Sequence, residues 1–120
     1  FTGTPIIRGN LNAMDKSLLP SLQTVCTEIL NNIAKHGKPG AFAFILSVGP
    51  DAVRIFASNL YNAAINSAPE NHYGTALIQD FAQQHNGTMT INSENEEWSL
   101  SLTIPLAHQV KLMFSPTEKL

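Results

Sequence analysis

Apolar residues recur at spacings of three and four through Leu18, Leu22, Val25, Cys26, Ile29, Leu30 and Ile33. That spacing predicts an amphipathic helix beginning near Pro20 and ending at Gly37. Pro20 is tolerated because it falls in the first turn, and Gly37 suits the position just past the last. Upstream, Thr4 to Leu11 predicts a modest strand. Downstream, Gly37-Lys38-Pro39-Gly40 predicts a turn. Ala41 to Val48 and Ala52 to Ser58 then predict two strands joined by a hairpin at Gly49-Pro50-Asp51. Asn59 to Gly74 has no sustained period and predicts a loop. Thr75 to His85 predicts a second helix, with Leu77, Ile78, Phe81, Ala82 and His85 on its core side and a stop at Asn86-Gly87.

Thr88 to Ser93 predicts a strand, and Glu94-Asn95-Glu96 a turn. Trp98, Leu100, Leu102 and Ile104 alternate with Ser99, Ser101 and Thr103, the clearest period of two in the chain, and Pro105 ends it. Val110 to Phe114 fits either a further short strand or a packed tail. The sum is an α/β (α+β) two-layer sandwich, with helices on one face of a mixed, mainly antiparallel sheet.

Composition narrows this picture. At 120 residues the chain forms a single domain, residues 1–120, with a real core. With 43% hydrophobic and 13% charged residues, disorder is excluded. A net charge of −2 with no basic patch argues against nucleic acid as a partner. No apolar run approaches the length of a membrane span. The single cysteine, Cys26, sits at an apolar helix position and reads as a buried free thiol in a reducing compartment. The chain opens on Phe1 with no recognisable signal peptide and reads as an excised domain.

The first helix carries a second stripe. Glu28, Asn32, Lys35 and His36 share one side, centred roughly 100° from the centre of the apolar stripe. They would line the rim where the helix meets a crevice. A carboxylate, an amide, an amine and an imidazole there suit a polar ligand of the metal-phosphate kind. The plainer alternative is a solvated helix face with His36 favourable in the last turn. Glu28 and Asn32 offer oxygens to Mg²⁺, which takes few protein ligands beside phosphate and water. Lys35 offers a point charge for phosphate. Across the long polar loop, Gly74 and Thr75 open the second helix, and backbone N–H groups at a helix start attract anions. Loops of that length in a small domain are often functional. His72 and Tyr73 lie in it and could touch phosphate or stack on a base. His85 and Trp98 are expected to pack.

These residues resemble a known superfamily. EILNNIAKHG, residues 28–37, resembles the N-box of the GHKL ATPases, which include histidine kinases, gyrase and MutL. YGTALIQDFAQQHNGTMTINS, from Tyr73, resembles the second glycine box and following helix and strand of sensor histidine kinases, and WSLSLTIP their closing strand. The similarity covers about residues 18–105. It implies the Bergerat-fold catalytic, ATP-binding (HATPase) domain of a two-component sensor kinase, with a short lid like that of the NarX/DesK-like group.

The resemblance implies that Asn32 holds Mg²⁺ and that Glu28 is its catalytic acidic partner. It implies nucleotide contacts for Lys35, His36, Asn59, Gly74, Thr75 and Leu77, and ATP and Mg as cofactors. Partners would be the dimerisation and phosphoacceptor domain of the same kinase and a response regulator. The domain would be cytoplasmic, in a membrane-anchored kinase, without touching membrane itself.

The first glycine box departs from the family. Asn59 stands where the family has an adenine-reading Asp, with Tyr61 and Ala63 in place of its two glycines, and Ala76 replaces a glycine of the second box. An amide oxygen can still accept from an amino group, but Tyr61 resists the positive φ or close approach that a glycine permits. Two functions follow. One is an ATP-dependent phosphotransferase domain. The other is a degenerate pseudokinase that keeps the fold and acts through protein contacts. An anti-sigma-factor kinase of the same superfamily is a lesser third.

Overall fold

Alternation of apolar and polar side chains builds a five-stranded sheet with one buried face. The computed structural model describes residues 1–61 and 75–106, with the side chains of Ala13 and His36 also outside the description. The strands are β1 (Ile6–Gly9), β2 (Gly37–Val48), β3 (Ala52–Tyr61), β4 (Thr88–Glu94) and β5 (Glu97–Pro105), in spatial order β1-β2-β3-β5-β4. β1 runs parallel to β2 and the other pairs are antiparallel. Facing residues form rows across the buried face: Leu46, Ile55 and Leu102 make one, and Phe44, Ala57 and Leu100 the next. The opposite face carries Ser47, Arg54 and Thr103 in one row and leaves Phe56 exposed.

Two helices, α1 (Leu19–His36) and α2 (Thr75–Gln84), cover the buried face. Asp15 caps the turn before α1 by accepting from the Ser17 N–H at 3.0 Å. Leu18, Leu22, Val25, Ile29 and Ile33 are buried from it against the sheet. α2 buries Ile78, Phe81 and Ala82 and ends where Asn86 turns to φ 58° and the Gly87 N–H reaches the Ala82 carbonyl at 2.7 Å. Gly87 lies against Ile104 and the Thr103 carbonyl, which anchors the end of α2 at that end of β5.

The helices run antiparallel. Ser21 and Val25 share a crevice of about 440 Å³ with Leu77, Phe81 and Gln84. Leu18 lies near Gln84 and Ile104, while α1 passes into β2 at Gly37, which faces Tyr61. The C-terminal half of α1 and the start of α2 therefore gather at the Asn59–Trp98 end of the sheet. Among the described residues, no helix is long and apolar enough to cross a membrane.

Three expectations are corrected. Gly37 to Gly40 is part of β2, not a free turn: the register shifts between Gly37 and Phe42, and the N-terminus pins the bulge. Thr2 donates to the Gly40 carbonyl at 2.8 Å and accepts from the Phe42 N–H at 3.0 Å. β3 runs on through Asn59 to Tyr61, because Asn59 pairs with Phe42 and Trp98 and the Tyr61 N–H reaches the Glu96 carbonyl at 2.9 Å. Leu77, expected in the core, is 42% exposed at the crevice between the helices.

Gly37 is required for space. A Cβ there would fall on the Ile33 carbonyl oxygen and the Asn59 amide nitrogen. A backbone carbonyl inside a helix cannot step aside, so Gly37→Ala should cost about 1–3 kcal/mol, measured as a lower urea midpoint with unchanged slope.

Candidate functional site

The gathering end of the sandwich is polar where the rest of the interior is apolar. Among the described residues, the buried polar side chains are Asn32 and Asn59, 4% and 5% exposed. Asn32 follows Ile29 by three positions and Val25 by seven, so α1 carries it onto the sheet-facing side. Asn59 occupies the buried face of β3, directly opposite Trp98 on β5. Its amide nitrogen donates to the Leu60 carbonyl at 2.7 Å, which leaves the oxygen as the acceptor of that amide.

Two donors at this end have no hydrogen-bond partner among the described residues: Nδ2 of Asn32 and Nε1 of Trp98. Trp98 is 3% exposed. A buried donor left unpaired costs about 1–3 kcal/mol, and native interiors hold few of them. Two such donors, Asn32 and Trp98, therefore mark this end as the part of the interior with hydrogen-bonding capacity left over.

The expected site residues divide. Asn32 and Asn59 are both buried at this end. Glu28, one turn before Asn32, is half-buried, and Thr75 is half-buried at the first position of α2. Lys35 is exposed, so the four-residue rim is corrected: Asn32 joins the apolar stripe while Lys35 faces solvent. Leu77 lies at the crevice, further along α2. The side chain of His36, and Gly74, His72, Tyr73 and Ala63, lie outside the described residues. Tyr61 is buried and pairs with Gly37 as an ordinary strand residue. Sequence reasoning missed Trp98, whose alternation marks it as core and nothing more; its unpaired N–H emerges only in three dimensions.

No family profile and no curated protein sequence matches the chain. Solved structures do. The blue-light activated histidine kinase EL346 of Erythrobacter litoralis is 11% identical, with 89% of this chain and 36% of that one covered at a TM-score of 0.67. The nucleotide-free catalytic domain of histidine kinase ThkA is 14% identical, with 84% and 77% covered at 0.57. Histidine kinase AdeS of Acinetobacter baumannii is 9% identical, with 72% and 46% covered at 0.57. The fold is that of histidine kinase catalytic domains. This chain spans about a third of the length of EL346 and about three quarters of the ThkA domain.

Two other features of the domain are structural. The His85 ring packs on Phe81, centroids 4.8 Å apart, as expected of a helix end. Cys26 is half-buried rather than fully buried, in an apolar groove with Ile7, Leu22 and Leu46, and burial pushes its thiol up to about 11 from 9.0. The folded state thus holds that proton more tightly than the unfolded chain. Cys26 should resist alkylation at pH 7.5, and its contribution to stability should be complete below pH 9 and lost as pH rises toward 11. Thiol labelling against pH, native and in urea, checks both.

Proposed function

We propose that this chain is the nucleotide-binding catalytic domain of a sensor histidine kinase, taking Mg-ATP at the end of the sandwich between α1 and the start of α2. The observation that carries this reading is the buried, unpaired amide of Asn32 at that end. A site that awaits a ligand leaves such a group unpaired, whereas a packed relic gains by losing it. The unpaired N–H of Asn32 suits a phosphate oxygen, and its amide oxygen would hold Mg²⁺, which characteristically keeps few protein ligands. When bound, the ion would neutralise phosphate charge.

The rest falls to the chain itself. The positive pole of α2 favours the phosphates, and the half-buried Glu28 carboxylate would orient a phosphoacceptor histidine on a dimerisation domain. Catalysis is then positioning plus electrostatics. Lys35 and His36 would approach phosphate from the end of α1. A response regulator would take the phosphoryl group onward.

A second reading, a pseudokinase acting through protein contacts, is favoured by one specific observation. Tyr61 is a buried strand residue where the resembling family has a glycine. The test is phosphorylation of the whole protein of which this domain is part, using ATP labelled at the γ-phosphate. The kinase reading expects label that is stable to base and labile to acid. Glu28→Gln should keep Mg-ATP affinity within about threefold and cut labelling about a hundredfold, the range of general acid–base assistance. Absence of label in the wild type supports the pseudokinase.

A further inference from the structure

Trp98 is the second unpaired donor at this end, and no role above accounts for it. An indole Nε1 donates and never accepts, so reversing its orientation cannot relieve it as flipping an amide can. It is buried without a partner among the described residues. Directly across the ladder stands Asn59, whose amide nitrogen is engaged by the Leu60 carbonyl, which leaves its oxygen as the acceptor. Facing residues of an antiparallel pair have their Cβ atoms about 4.5–5.5 Å apart. Trp98 and Asn59 therefore stand as neighbours on one buried face, one bearing a donor and the other an acceptor. Among the described residues no Lys or Arg is buried with them, which disfavours phosphate and favours the neutral edge of a heteroaromatic base.

We propose that Trp98 is a ligand-binding, specificity-determining residue: its indole N–H donates to ring nitrogen N1 of adenine, while the Asn59 oxygen accepts from the adjacent 6-amino group. This rests on the nucleotide reading above. The pair reads the base as one unit, and the other donor, the Asn32 N–H, is left for a phosphate oxygen.

The test compares ADP with 1-deaza-ADP, which lacks that acceptor nitrogen, by calorimetry on wild type and Trp98→Phe. The wild type should prefer ADP by about three- to tenfold, the worth of one hydrogen bond, and Trp98→Phe should bind both alike at the weaker value. Trp98 is the single tryptophan of the chain, so one indole N–H resonance reports on it directly. That resonance should move downfield with ADP and stay in place with inorganic pyrophosphate, a result that needs no variant to fold. Equal wild-type affinity for the two nucleotides, or a preference that survives Trp98→Phe, overturns the assignment and leaves the nucleotide reading standing. Absence of binding by the wild type to either nucleotide overturns both.

Discussion

Asn32→Leu is expected to raise the melting temperature of the ligand-free domain while removing its affinity for Mg-nucleotide. The amide is buried and its nitrogen has no partner among the described residues, a situation that costs about 1–3 kcal/mol. Leucine has a similar volume and no polar atom, and position 32 lies on the same helical side as Ile29 and Val25. For a domain of this size each kcal/mol moves the melting temperature by about 3–6 °C, so a rise of about 3 °C or more follows. Binding of Mg-ATP should fall by about a hundredfold or more, because Mg²⁺ takes few protein ligands and Asn32 is the one assigned to it. A purely structural asparagine would behave oppositely, with lower stability and unchanged binding. Differential scanning fluorimetry with and without nucleotide separates the two.

The second large effect is on the scaffold. Ile29 is 0% exposed in the middle of α1 and belongs to the single core that joins both helices to the sheet. Ile29→Ala should cost about 2–5 kcal/mol, with transfer and cavity terms adding, against a total stability of about 5–15 kcal/mol. Ile29→Val removes one methylene and should cost about 0.5–1.5 kcal/mol. Urea denaturation of the pair should show midpoints falling in that order. Because Asn32 lies three residues along the same side, Ile29→Ala should also weaken nucleotide binding, and saturating Mg-ATP should recover part of the lost stability by mass action.

Most of the scaffold was legible because its signals are periodic. The alternation from Trp98 to Ile104 buries the residues expected of it, and so does the stripe from Leu18 to Ile33 except at Cys26 and Leu30, which are half-buried. The differences arise where a distant partner overrides a local signal. Gly-Lys-Pro-Gly reads as a turn, yet Thr2 and β3 hold it in the sheet. Asn59 reads as the start of a loop, yet Phe42 on one side and Trp98 on the other continue the ladder through it. Asn32 reads as rim when its angle is averaged with Glu28, Lys35 and His36, yet its own spacing from Val25 and Ile29 puts it on the buried side. Leu77 shows the reverse, an apolar residue left at the crevice between the helices. Trp98 could be read as buried from its alternation, but no linear pattern tells a satisfied indole from an unpaired one.

Calorimetric titration of the domain with Mg-ATP, run side by side on wild type and Asn32→Leu, tests the nucleotide assignment most directly. The account predicts one site of millimolar or tighter affinity in the wild type and no detectable heat in a folded Asn32→Leu variant. Equal heats in both proteins, or none in the wild type at high nucleotide, would contradict it.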